Sequence, residues 1–117
     1  MLATLGYVAL GGAVGSVLRA LVGMSVAFPL GTLTVNVLGS FVIGLAWAAG
    51  IDRSGPLFPF LVLGLLGGFT TFSTFSLDTL RLMQDGQVAG AVAYVLGSVT
   101  LSLLAALAGL ILMGRLS

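Results

Sequence analysis

The sequence predicts an all-α membrane protein with four transmembrane helices per protomer, and three observations carry that expectation. The first is charge. Of 117 residues only seven are formally charged, four Arg and three Asp, which is 6% against 59% hydrophobic. Ordinary soluble domains run at roughly 25% charged, and a mean hydropathy of +1.27 leaves too little polar surface to face water. The second is length, since a span needs about 20 apolar residues and this chain holds four of them with short links. The third is a polar run inside the third span, described below. The composition also removes most chemistry. With no His, Cys, Lys or Glu, no thiolate, imidazole or amine is available as nucleophile, base or zinc ligand. An enzyme is not expected, and neither is a nucleic-acid partner.

The elements follow in order. Span 1 covers about residues 2–22, interrupted late by Arg19. No Lys or Arg precedes Arg19, so the segment lacks the positive opening of a cleaved leader and reads as a retained helix. Phe28-Pro29-Leu30-Gly31 marks the turn before span 2, at about residues 32–49. The loop Gly50-Ile51-Asp52-Arg53-Ser54-Gly55-Pro56 leads to span 3, about residues 57–82. Met83-Gln84-Asp85-Gly86 leads to span 4, about residues 87–113. Residues 1–117 thus form a single integral membrane domain. Small residues stand four apart at Gly11 and Gly15, Ser40 and Gly44, Gly64 and Gly68, and Gly86 and Gly90. In lipid that spacing lets helix backbones approach closely.

Four spans put both termini on one side. Arg53 and Arg115 then share the terminal side, while Arg19 and Arg81 lie toward the other. Basic residues in short loops normally set orientation, and an even split predicts insertion both ways. Such a dual-topology population can form an antiparallel homodimer with a two-fold axis in the membrane plane. Against this, four charges make a small tally, and Arg19 can snorkel to the headgroups.

The most unusual run is Gly64-Leu65-Leu66-Gly67-Gly68-Phe69-Thr70-Thr71-Phe72-Ser73-Thr74-Phe75-Ser76. A Gly pair followed by β-branched Thr is poor helix material, and a break near the middle of span 3 is expected. Non-helical backbone at that depth must be buried in protein or face water. Its freed carbonyls require partners, and a small hard cation is one solution. A kink with Ser and Thr bonding back to the preceding turn is the other. Phe72 and Phe75 share a helix face, either as core packing or with their positive ring edges toward an anion. Asn36 in span 2 either clamps a neighbouring helix or lends its two N–H donors to an anion. Tyr94, Ser98 and Ser102, spaced four and four, form one polar stripe on span 4. Asp78 and Arg81, near the end of span 3, are expected to form a local ion pair. No carboxylate falls at the middle of a span, which argues against proton-driven transport.

Three motifs carry a family resemblance: Gly11-Gly12-Ala13-Val14-Gly15-Ser16-Val17-Leu18-Arg19, then Gly31-Thr32-Leu33-Thr34-Val35-Asn36, then Gly67-Gly68-Phe69-Thr70-Thr71-Phe72-Ser73-Thr74-Phe75-Ser76. Together they resemble the Fluc fluoride channels, also called CrcB proteins, over all four spans. The resemblance implies an antiparallel homodimer in the cell (inner or plasma) membrane, passing fluoride through two pores lined by both protomers. It implies that Phe72 and Phe75 meet the ion with ring edges, that Asn36 donates to it, and that Ser73 and Thr74 lie beside them. Tyr94, Ser98 and Ser102 would be the polar track, and Arg19 a vestibule residue. Gly67 and Thr70 would offer main-chain carbonyls to a central structural sodium ion. Asp78 stands where this family commonly has Glu. Two other classes compete: a four-helix multidrug exporter, which would want an embedded Glu, and a structural membrane subunit, for which the span 3 run is only a kink.

Overall fold

A computed structural model describes residues 1–116; Ser117, the last residue of the expected domain, lies outside the described residues. The structure is all-helical. It comprises α1 (Leu2–Ser25), α2 (Leu30–Ala48), a π-helical segment (Pro59–Leu66), α3 (Gly67–Phe69), α4 (Phe72–Gln84) and α5 (Val88–Leu116). Four helical stretches are long and apolar enough to cross a membrane: Leu2–Ser25, Leu30–Ala48, Pro59–Gln84 and Val88–Leu116. The longest dimension is 48 Å, enough to pass the roughly 40–45 Å of a bilayer with its headgroups.

The helices run past several expected ends. Span 1 was expected to finish near residue 22, yet α1 continues to Ser25 because nothing in Val22-Gly23-Met24-Ser25 breaks it. Arg19 therefore sits almost two turns inside its helix. Likewise α5 reaches Leu116, carrying Arg115 in its last turn.

Glycine sets the packing. A Cβ at Gly11 or Gly15 would overlap the carbonyl oxygens of Phe60 and Leu65, and one at Gly64 or Gly68 would collide with Val8 and Gly12. These four glycines thus seat α1 directly on the π-helical segment and α3, backbone against backbone. Gly44 plays the same part for α2 on α5, facing Ala106, and Gly109 answers it against Phe41. The Gly86 and Gly90 pair is a correction. Gly86 lies in the α4–α5 turn at φ +80°, where glycine is needed for the left-handed backbone, and no other helix approaches it.

Phe75, Leu82, Ala91 and Tyr94 form the buried cluster between α4 and α5, with Leu33 and Val95 against it. Most other large apolar side chains point outward, including Leu2, Leu10, Leu63, Leu103 and Phe72. That arrangement suits lipid as solvent, since helices satisfy most backbone polar groups internally while the exterior stays apolar.

The expected Asp78–Arg81 ion pair is a second correction. Asp78 turns inward and is only 4% exposed. It accepts from Thr32 Oγ1 at 2.6 Å and from the Tyr94 hydroxyl at 3.3 Å. Arg81 turns outward, its guanidinium 4.0 Å above the Phe28 ring. Three residues of helix rotate the two side chains onto different neighbours, and each takes the partner offered there.

Candidate functional site

The backbone of Thr70 and Thr71 is extended, at φ −85°, ψ 157° and φ −153°, ψ 125°. Helix stops at Phe69 and restarts at Phe72, with Thr71 as the N-cap of α4: its hydroxyl accepts from the Thr74 amide at 3.2 Å. This non-helical step is held from two sides. Asn36 on α2 accepts the Thr71 N–H at 2.8 Å and donates to the Thr71 carbonyl at 3.1 Å. The two bonds copy one rung of a strand pair. From α1, Arg19 Nε donates to the Gly68 carbonyl at 2.9 Å. Gly39 allows the approach, because a Cβ there would overlap the Thr70 side chain.

In a continuing α-helix the carbonyl of residue i accepts from the N–H four residues on. For Gly67 that donor is Thr71, whose N–H goes to Asn36. For Thr70 it is Thr74, whose N–H goes to the Thr71 hydroxyl. Leu66, by contrast, accepts from both the Thr70 amide and the Thr70 hydroxyl, each at 3.0 Å. Gly67 and Thr70 thus lie on the step where helical donors have been drawn away, whereas the Leu66 and Gly68 carbonyls are served.

Both residues line an open groove of about 420 Å³ between α2, the middle of the third span and α5. Asn36, Ser40, Phe72, Phe75, Ser98 and Ser102 line it too. Ser98 is 4% exposed, and its Oγ is the buried side-chain polar atom without a hydrogen-bond partner among the described residues. A buried hydroxyl left unmatched costs about 1–3 kcal/mol, which singles Ser98 out among the groove residues. The rings form a ladder inward. Phe72 is 78% exposed on the protomer surface, Phe75 lies 5.6 Å behind it, and Tyr94 lies 5.3 Å behind Phe75.

Of the residues singled out in the sequence, Asn36, Gly67, Thr70, Phe72, Phe75, Ser98 and Ser102 come together on this groove. Ser73 is exposed beside it, bonded at 3.3 Å to the Thr71 hydroxyl, and Thr74 shares that hydroxyl at 3.3 Å. Tyr94 stands on the far side of Phe75, committed to Asp78. Arg19 approaches the broken segment from α1, on the Gly68 carbonyl. The sequence reading gave no role to Thr71, Thr32 or Gly39. Thr71 was legible as a cap, since Thr is a favoured N-cap residue where a helix restarts. Nothing local pointed from Thr32 to Asp78, 46 residues away.

Four apolar spans around a largely apolar groove that carries an amide and hydroxyls, with no carboxylate lining it among the described residues, define a multi-pass membrane protein. The chain belongs to the CrcB family: residues 6–110 match the family model described as "CrcB-like protein, Camphor Resistance (CrcB)". Relatives agree. The chain is 54% identical over 109 residues to the fluoride-specific ion channel FluC of Paracoccus denitrificans, covering 88% of each chain. It is 50% identical over 112 residues to the protein of that name from Rhizobium meliloti, covering 88% and 90%. A third, from Magnetococcus marinus, is 49% identical over 119 residues, covering 94% and 96%. The family is one of channels rather than enzymes.

Proposed function

We propose that this protein is a passive, fluoride-selective channel, working as an antiparallel dual-topology homodimer with two pores lined by both protomers. The observation that carries the reading is the set of unspent donors on one groove: the buried Ser98 hydroxyl, with the second N–H of the Asn36 amide beside it. Fluoride is small and tightly hydrated, so a selective path must replace its water with donors. Hydrogen bonds to a charged partner are worth about 1.5–3 kcal/mol each. The positive edges of the Phe72 and Phe75 rings add weaker compensation. With no fixed cation on the groove, the ion is stabilised without being trapped. Ser102 continues the hydroxyl line along α5, and Ser73, Thr74 and Tyr94 support the rings and the cap beside it. Arg19 draws anions toward the pore mouth through its charge.

A structural sodium ion fits the carbonyl accounting. Gly67 and Thr70 have each lost the helical donor to their carbonyl, and hard cations take oxygen ligands. Two such oxygens from each protomer would meet at the two-fold axis. Sodium would tie the two broken spans together; the chemistry of permeation stays with the amide, hydroxyls and rings.

Hydrogen fluoride enters cells as a neutral acid and dissociates inside, so a negative-inside potential drives the anion out through a passive pore. A proton-coupled exporter would need an ionisable group on the path. Asp78, the buried carboxylate, is committed to Thr32 and Tyr94 and does not line the groove. The deciding measurement is anion efflux from liposomes holding purified protein. Rapid fluoride efflux with negligible chloride efflux at matched potential is expected. Equal efflux of both ions removes the selectivity, and proton-dependent turnover returns the transporter.

A further inference from the structure

A second pocket, of about 500 Å³, opens at the other end of the same helix face and is lined by Ile43, Ala46, Trp47, Ile51, Arg53 and Phe58, among others. It lies where α2 ends and the 49–58 loop begins, which places it at the headgroup level of the bilayer. Arg53 crosses its mouth with the guanidinium 4.2 Å above the Trp47 ring and 5.9 Å from the Phe58 ring. Rings hold this cation by its face, which leaves the edge N–H groups to recognise an anion. Among the described residues the neighbouring carboxylate makes no ion pair with Arg53, and its Oδ1 is turned to Ser54. Asp52 accepts from the Ser54 amide at 3.0 Å and the Ser54 hydroxyl at 2.7 Å. Those bonds, the hydroxyl first, hold the Asp52 carboxyl below its usual 3.8 and keep it charged but engaged at neutral pH.

We infer that this pocket is a binding site for an anionic phospholipid, with the phosphate on the Arg53 guanidinium and an acyl chain along Ile43, Ala46 and Trp47. Charge selects the headgroup, and a basic side chain near an anionic surface favours it severalfold. Apolar lining selects a lipid over a soluble anion, since a hydrated phosphate gains nothing from Ile43 or Ala46. Trp at the interface adds the amphipathic ring that prefers this depth. Ile43 and Val62 also line the groove described above, so the chain of a bound lipid would abut that groove.

Trp47 is the one tryptophan in the sequence, so its fluorescence reads occupancy of this pocket directly. Full-length protein is reconstituted into bilayers titrated with brominated phosphatidylglycerol or brominated phosphatidylcholine, and quenching is compared at equal mole fraction. Half-quenching is expected at about fivefold lower mole fraction of the anionic lipid. Arg53→Gln should bring the two lipids together, Arg53→Lys should retain part of the preference, and Arg115→Gln should leave it intact. Equal quenching of the unsubstituted protein by both lipids would overturn the site. So would an equal loss in Arg53→Gln and Arg115→Gln, which would indicate general surface charge. Weak quenching by either lipid would mean that protein covers the pocket. Reversal of the preference by inorganic phosphate would assign it to free anions. None of these readouts depends on fluoride flux, so failure here is separable from failure of the channel reading.

Discussion

Asn36 separates two roles that one side chain performs together. Its Oδ1 and one N–H are spent on Thr71, and the proposed role in permeation falls to the other N–H. Asn36→Ala leaves the Thr71 N–H and carbonyl unmatched, and thermal unfolding in detergent should register a loss of about 1–3 kcal/mol along with reduced flux. Asn36→Asp keeps the acceptor for Thr71 but removes the donors and adds a negative charge. It should block fluoride more severely than alanine; wild-type flux in either variant would return Asn36 to helix packing alone. Ser98 makes the cleaner case, because its Oγ bonds nothing among the described residues. Ser98→Ala should unfold no earlier than the parent, yet conduct about tenfold less if the hydroxyl solvates the ion. Phe75→Ile should likewise impair fluoride passage while the dimer stays assembled, and unchanged flux would count against the ring edges.

At the scale of elements, the decisive fact is that two glycine seams fix where the helices can touch. One joins α1 to the π-helical segment and α3 through Gly11, Gly15, Gly64 and Gly68; the other joins α2 to α5 through Gly44 and Gly109. The π-helical winding of Pro59–Leu66 precedes the extended pair Thr70 and Thr71, and wide turns of this kind recur at functional sites. The first seam holds the segment carrying Gly67 and Gly68 in place while Arg19 caps Gly68 from the same helix. Gly44→Leu should therefore separate α2 from α5, moving Asn36 on one helix away from Ser98 on the other. A destabilisation of about 1–3 kcal/mol is expected from overpacking, read as earlier thermal aggregation. The same replacement at Gly97, where a Cβ meets nothing, should be tolerated by the protomer.

For the whole molecule, the outward face of Phe72 and the open groove are the observations on which the proposed two-protomer pore rests. The even division of four Arg permits the second protomer to insert upside down. Site-specific labelling of the C-terminus from each side of the membrane should find both orientations in comparable amounts. Adding Lys at the C-terminus should lock one orientation and abolish flux. Co-expression with a chain locked the other way should restore it. A single orientation that still conducts would overturn the antiparallel dimer.

Scarcity of charge, four apolar stretches and the Gly67–Ser76 run were enough to specify a four-span membrane protein, and the motifs pointed to its family. These features are local, written in composition and spacing along one segment. The partners of the polar residues were not legible, because each is chosen by distant backbone. Asp78 lay in the sequence beside Arg81, yet it bonds Thr32 and Tyr94. Asn36 offered an amide without an address until α2 brought it against Thr71. That tertiary contact, with the Thr71 cap, draws the helical donors away from Gly67 and Thr70. Sequence determined that polar groups would stand inside the membrane; only the packing decided which would be satisfied within the protomer and which would not.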